Sequence, residues 1–222
     1  MSTESVSLAI PAARASSRRA DGKARVRAAL LAAARTLFAR QGVADTTVDD
    51  IARLAQVSRA TAFNYFPSKQ ALLGVLVREM EARFLHIMDT QFNEPASAAQ
   101  RIAALFSWTA AKVEETPELS RVLIGASETT FGAAPDSGAR TARTHRAFVR
   151  ILDAGRRAGD VRRDLSAEVL AEIIGGSYGG ILHAWRVAQR YPLRRRLDAA
   201  ALALGELIAP RAAVARRRSP TR

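Results

Sequence analysis

The chain has 222 residues, 48% of them apolar, and it contains no cysteine, which excludes disulfides, thiolate metal sites and a cysteine nucleophile. Its net charge of +13 is uneven: residues 1–70 hold 11 basic and 5 acidic residues, residues 71–210 hold 18 and 16, and residues 211–222 hold 5 and none. Basic ends on a nearly neutral middle favour a polyanionic partner such as nucleic acid, although basic tails are also common as solvated segments.

No apolar run reaches the roughly 20 residues that a membrane-spanning helix needs. Near the N-terminus the arginines follow the first apolar stretch, which is the reverse of the order in a secretory signal. We therefore expect a cytoplasmic protein without a membrane partner.

Apolar residues at helical spacing, hydroxyl N-caps and Gly or Pro breakers predict an all-α chain of about nine helices. The first four run over residues 23–41, 47–55, 58–66 and 68–93. The last five run over about 98–116, 118–131, 139–158, 166–191 and 193–208. We expect a disordered basic arm over 1–20, a helix-turn-helix domain over 21–73, a larger helical domain over 74–210 and a disordered basic tail over 211–222.

The segment VSRATAFNYFPSK, residues 57–69, predicts the second helix of a helix-turn-helix motif. On a helix capped by Ser58, Ala62 and Phe66 face inward, while Arg59 and Asn64 face away from the core. Such a helix enters the major groove, where arginine can read guanine and apolar groups can touch a thymine methyl. The candidate DNA-binding residues are Thr47, Ser58, Arg59, Ala60, Thr61, Phe63, Asn64, Tyr65 and Lys69.

Residues 24–73 resemble the DNA-binding domain of TetR-family transcriptional regulators. The residues that carry the resemblance are Phe38, Gly42, Thr47, Ile51, Ala52, Ala55, Val57, Ser58, Thr61, Tyr65, Phe66, Lys69, Leu72 and Leu73. Two positions depart from the family pattern. Gln56 stands where glycine is usual, so we expect a left-handed backbone at this site, at a cost of about 1 kcal/mol. Phe63 stands where tyrosine is usual, which removes a hydroxyl that could contact phosphate.

The resemblance implies that the second domain binds a small effector and that its last two helices form a homodimer. A dimer would also read a palindrome with two half-sites. Candidate effector-pocket residues are Phe106, Trp108, Phe131, His145, Phe148 and Tyr178. Candidate dimer-interface residues are Ile174, Tyr178, Ile181, Trp185, Leu197 and Leu204.

Two other interpretations remain open at the level of sequence. An architectural DNA-binding protein of the same fold would lack an effector. A hydrolase could use the pattern Gly175-x-Ser177-x-Gly179, but a nucleophile elbow needs a preceding strand, and here the pattern lies in a helical stripe. The three histidines lack metal-like spacing, so we expect no metal, no cofactor and no enzyme activity. The predicted function is a homodimeric DNA-binding repressor released from a palindromic operator by a small apolar or amphipathic ligand.

Overall fold

The computed structural model describes residues 10–90, 96–129 and 137–211, and over these residues the chain is helical and contains no strand. The nine described helices are α1 (Ile10–Gln41), α2 (Val48–Leu54), α3 (Arg59–Tyr65), α4 (Lys69–Thr90), α5 (Ala98–Glu115), α6 (Pro117–Thr129), α7 (Ser137–Ala158), α8 (Ala167–Val187) and α9 (Leu193–Ile208). The all-α prediction is therefore confirmed, and the predicted number of helices is correct for the described residues.

The chain divides into two compact units with their boundary between Leu76 and Val77, inside α4. The sequence prediction placed this boundary at residue 73. In the first unit α1 packs on α2, and α2 packs on α3. Its fully buried side chains include Leu30, Phe38, Ile51, Ala62 and Leu72, which are the inward residues that helical spacing predicts.

Two of the helices in the first unit end in a left-handed residue. Gly42 follows α1 with a φ of 78°, and its N–H donates to the carbonyl of Phe38. After α2 the corresponding residue is Gln56, with a φ of 56°, and it is the single non-glycine residue with positive φ in the described part of the chain. The expectation of a left-handed backbone at Gln56 is confirmed.

The second unit has one continuous core to which α5, α7, α8 and α9 all contribute. In this unit α5 packs on α9, α7 on α8, and α8 on α9. The fully buried core residues include Ile102, Phe106, Phe148, Ile174 and Leu197. Among the described residues, none of the helices is long and apolar enough to cross a membrane.

Two predicted boundaries are wrong. α1 begins at Ile10, so residues 10–20 are helical and do not form the predicted disordered arm. This stretch lacks apolar periodicity, but it is rich in alanine and arginine, which are both strong helix formers. α8 ends at Val187, short of the predicted 191, because Ala188 adopts an extended conformation. Residues 1–9 and 212–222 of the predicted arm and tail lie outside the described residues.

Candidate DNA-binding surface

The two faces of α3 differ in the way that the sequence predicts. Ala62 and Phe66 are 1% and 4% exposed and belong to the interior of the first unit. Arg59, Phe63 and Asn64 are all exposed. Ala60 is also exposed, whereas Thr61 and Tyr65 are half-buried beside this face. The structure therefore places a cation, an aromatic ring and an amide together on the outer face of a short helix.

Hydroxyl side chains begin both helices of the motif. The Thr47 Oγ1 accepts from the Asp50 N–H at 3.1 Å and donates to the Asp50 carboxylate at 2.6 Å, and the Thr47 N–H donates to the same carboxylate at 3.2 Å. Together these contacts form a complete capping box. Because the Thr47 hydroxyl hydrogen is used within the box, this residue has no side-chain donor left for a phosphate in this conformation.

Ser58 caps α3 through its Oγ, which accepts from the Thr61 N–H at 3.1 Å. The two hydroxyl oxygens of Ser58 and Thr61 also lie 2.8 Å apart and share one hydrogen bond. One hydroxyl hydrogen of the pair is consumed in that bond, so the other is available to an outside acceptor. The Ser58–Thr61 pair can therefore donate one hydrogen bond to a phosphate.

Lys69 is the first residue of α4, and its Nζ donates to the carbonyl of Ala44 at 2.7 Å. This bond holds the ammonium group near the loop that precedes α2. An ammonium group has three hydrogens, so two remain for further acceptors. A half-buried lysine fixed in this way is suited to anchoring a phosphate next to the start of the motif.

Acidic side chains contribute to this surface, and the sequence prediction did not include them. The Asp49 carboxylate lies 3.2 Å from Nε of Arg59, and Asp50 lies 3.3 Å from Nη1 of Arg53. The hydrogen bonds from the Thr47 side chain and backbone lower the pKa of Asp50, and Arg53 adds to this effect. The surface therefore carries fixed negative charge beside its cations.

Comparison with known proteins identifies this motif. Residues 30–76 match the model for bacterial regulatory proteins of the tetR family. The N-terminal unit belongs to the TetR family. The HTH-type transcriptional regulator EthR of Mycolicibacterium smegmatis is 34% identical over 83 residues, which are 36% of this chain and 38% of that relative. The chain thus matches less than two-fifths of the length of this curated relative.

Solved structures extend the similarity in fold to most of this chain. FadR from Bacillus subtilis, determined with stearoyl-CoA, has a TM-score of 0.69 and 21% identity and aligns over 81% of this chain and 98% of its own. FadR from Thermus thermophilus, determined with lauroyl-CoA, has a TM-score of 0.61 and 24% identity and aligns over 88% and 100%. At these identities the match shows a common fold.

The predicted effector-pocket residues within the described ranges fall into two groups. Phe106 and Phe148 are fully buried in the core, while Trp108, His145 and Tyr178 are half-buried. The structure brings Phe106 and Tyr178 together, with their ring centroids 5.3 Å apart. The sixth predicted residue, Phe131, lies outside the described residues.

A polar pair lies within the aromatic cluster of the second unit. The Thr109 hydroxyl donates to the carbonyl of Leu105 at 2.9 Å, so its oxygen accepts from the Tyr178 hydroxyl at 3.1 Å. The ring of Tyr178 also lies 5.3 Å from that of Phe84. Burial among these rings raises the pKa of the Tyr178 hydroxyl, which keeps it protonated and able to donate.

The six residues predicted for the dimer interface all contact the core of their own chain. Ile174, Trp185, Leu197 and Leu204 are buried within their own chain, and Tyr178 and Ile181 pack against the same core. Apolar periodicity finds the stripe that faces the intrachain core first, because that stripe is the more apolar one. The exposed apolar residues of α8 and α9 are different: Val169, Ile173, Val187 and Leu202.

The structure shows where the residues of the hydrolase and metal-site interpretations lie. Ser177 lies in the middle of α8, a continuous helix, so it does not occupy the strand-to-helix turn that a nucleophile elbow requires. Within the described ranges, no three His, Cys, Asp or Glu side chains are grouped as metal ligands.

Proposed function

We propose that this TetR-family protein is a sequence-specific transcriptional repressor that binds DNA as a homodimer and is released by a small apolar or amphipathic ligand. The observation that carries the proposal is the division of α3 into a buried face and an outer face bearing Arg59, Phe63 and Asn64. These are the groups that can read base edges from the major groove.

The groups around α3 support a division between reading and anchoring. Arg59 and Asn64 extend from the first two turns of α3 and would contact bases. Lys69, with two free ammonium hydrogens, would hold a phosphate on one flank, and the free hydroxyl hydrogen of the Ser58–Thr61 pair would hold another. Phe63, which has no hydroxyl, would contact a thymine methyl in place of a phosphate.

The exposed apolar side chains support a homodimer through α8 and α9. Six large apolar residues are exposed among the described residues: Leu54, Phe63, Val169, Ile173, Val187 and Leu202. Four of the six lie on α8 and α9. Val169, Ile173, Gly176 and Gly180 share one face of α8, where an added Cβ at either glycine would meet nothing within 4 Å. A second copy would cover this face, and its helix could approach closely at the glycines.

The second unit supports a ligand with a long apolar part and one polar group. Phe84 and Phe106 flank the hydroxyl-bearing Tyr178, so a ligand placed there would meet aromatic walls and one hydrogen-bonding pair. The two FadR proteins of the same fold were determined with acyl-CoA thioesters, whose acyl chains are long and apolar. We therefore take stearoyl-CoA and lauroyl-CoA as the first compounds to test.

Release of DNA requires that the ligand bind one conformation of the protein more tightly than another. α4 passes without a break from the first unit into the second, so it is the covalent route through which a change in the second unit reaches the DNA-binding motif. A ligand with equal affinity for both conformations would leave the affinity for DNA unchanged.

Fluorescence anisotropy at physiological salt tests the DNA-binding part of the proposal. The full chain is titrated against DNA from upstream of its own gene and against a shuffled duplex of equal length. We expect at least about a thousandfold tighter binding to the upstream DNA. If the two affinities are equal, the experiment is repeated with a random duplex library, and the absence of any selected sequence refutes specific binding.

Two further measurements test the homodimer and the ligand separately. Sedimentation of Leu202→Glu should show a monomer where the wild type is a dimer. Leu54→Glu, which changes another exposed leucine that lies in the first unit, should remain dimeric. Adding stearoyl-CoA to the DNA complex should lower the anisotropy. An unchanged signal at saturation excludes that compound as the effector, and a dimeric Leu202→Glu protein excludes the α8–α9 face.

A further inference from the structure

Arg59, the exposed cation of α3, is held on two sides within its own unit. Its Nε lies 3.2 Å from the Asp49 carboxylate, at the start of α2. Its guanidinium carbon lies 5.5 Å from the centre of the Phe63 ring, one turn further along α3. The Arg59 side chain is nevertheless 71% exposed and that of Asp49 is 44% exposed. The pair therefore lies at the surface, where an outside group can reach it.

The atoms used in this contact leave the reading edge of Arg59 open. Nε is the guanidinium nitrogen closest to the main chain, and the carboxylate approaches it from the side of α2. The two Nη groups lie at the far end of the side chain. A guanine accepts two hydrogen bonds at O6 and N7, and the two Nη groups can supply both while Nε stays with Asp49.

An exposed arginine without such support loses considerable side-chain freedom when it binds a base. The loss is about 0.5–1.5 kcal/mol for each flexible side chain that an interface immobilises. A carboxylate on one side and an aromatic ring on the other remove part of that freedom before DNA arrives. Asp49 also places a negative charge near the phosphates, which weakens binding to any sequence.

We propose that Asp49 is a positioning residue that holds Arg59 for base reading and raises sequence discrimination at the expense of overall DNA affinity. This inference rests on the proposed DNA-binding function. It assigns to an acid on α2 a part in specificity, although that acid itself contacts no base.

A selection from a random 20-base-pair duplex library tests the proposal on the full chain. Wild type, Arg59→Ala, Asp49→Ala and Asp49→Asn are selected in parallel and the bound DNA is sequenced. Arg59→Ala identifies the base pair that Arg59 reads as the position where preference disappears. Asparagine keeps an oxygen that can accept from Nε but loses the charge, whereas alanine loses both. Both variants lose the favourable charge at the start of α2, so they match in this electrostatic contribution to helix stability.

We expect Asp49→Ala to reduce the preference at the Arg59 base pair by about two- to tenfold, the equivalent of the ordering free energy of one side chain. Asp49→Asn should keep that preference within about twofold. Both variants should bind a shuffled duplex more tightly than wild type. Asp45→Asn removes an acid from the loop before α2 and should raise the affinity for all sequences equally, with unchanged preference.

The proposal is overturned if Asp49→Ala selects the same base as strongly as wild type, or if Asp49→Asn loses as much preference as Asp49→Ala. If wild type itself selects no sequence, the proposed function fails. In that case ¹⁵N relaxation of the Arg59 Nε–H in the free protein still decides the positioning role. That signal, recognised by its absence in Arg59→Ala, should be more mobile in Asp49→Ala than in wild type, and equal mobility refutes the positioning.

Discussion

The end of α2 offers a direct test of how backbone conformation sets stability, through the substitution Gln56→Gly. The Gln56 N–H donates to the carbonyl of Arg53 at 3.2 Å, and the Val57 N–H donates to that of Ala52 at 3.0 Å. These two bonds define a Schellman motif, in which the residue at the position of Gln56 must be left-handed. The same arrangement ends α7, where Gly159 fills the corresponding position with a φ of 84°.

The expected gain in the free energy of unfolding follows from two opposing effects of glycine. A side chain in the left-handed region costs about 1–2 kcal/mol, which glycine would relieve. Glycine in turn costs about 0.5–1 kcal/mol, because it gives the unfolded chain more freedom. Gln56 is exposed, so the loss of its amide removes no buried contact. We therefore expect Gln56→Gly to raise the free energy of unfolding of the first unit by about 0.5–1 kcal/mol, a range centred on the difference between the midpoints of these two costs.

Amide hydrogen exchange followed by mass spectrometry measures this change within the full chain. Exchange of the α2 and α3 amides should slow by about two- to fivefold, and peptides from α9 should be unaffected. Ala55→Gly is the matched control, because Ala55 is the neighbouring residue and has an ordinary φ of −78°. Glycine relieves no strain there, so exchange should become faster. If both glycine substitutions speed exchange equally, the left-handed turn at Gln56 is not strained and the reasoning fails.

Three further predictions concern the DNA-binding surface, the pH dependence and the ligand site. Arg59→Ala should relax base preference and cost about 1–3 kcal/mol of binding free energy for the preferred duplex. Lys69→Ala should weaken binding to all sequences and lower the slope of log affinity against log salt concentration by about one. Salt titrations of both variants on a preferred and a shuffled duplex compare these effects. Hydrogen bonds from Arg162 lower the pKa of Asp164 from 3.8 to about 2. The ionised carboxylate therefore contributes its full stabilisation above pH 3.8 and loses it as the pH falls through 2. In acid unfolding, the free energy of unfolding of Asp164→Asn should fall less steeply than that of the wild type between about pH 4 and 2. Tyr178→Phe should change thermal stability by less than about 1 kcal/mol, since the Thr109 hydroxyl keeps its bond to Leu105, but it should raise the acyl-CoA concentration needed to release DNA.

Local features of this chain could be predicted from sequence because they depend on neighbouring residues. The capping box of Thr47 and Asp50 spans four residues, so it depends only on neighbouring side chains. The inward positions of Ala62 and Phe66 follow from helical spacing, and the left-handed turn at Gln56 follows from the family resemblance, in which glycine is usual at that position. The structure confirms both expectations. In each case the deciding atoms are within a few residues of one another.

Features that depend on how two helices cross could not be predicted from the sequence. Asp49 and Arg59 are ten residues apart, and their contact depends on the angle between α2 and α3, which no periodicity encodes. The end of α8 is another case. The Arg121 Nη1 donates to the carbonyls of Trp185 and Arg186 at 2.6 and 2.8 Å, while its guanidinium lies 4.4 Å from the Trp185 ring. A residue of α6 thus satisfies the last carbonyls of α8, so the helix can end before its sequence signal does.

The two apolar faces of α8 show why an interface is harder to predict than a core. Ile174 and Trp185 lie on the stripe that the core of the second unit covers, and that stripe is the stronger signal in the sequence. Val169 and Ile173 lie on the opposite face with Gly176 and Gly180, a weaker pattern that resembles an ordinary solvent face. Burial within one chain must be accounted for before the remaining exposed residues indicate a partner. If Leu202→Glu separates the dimer while leaving the second unit folded, this weaker face is the interface.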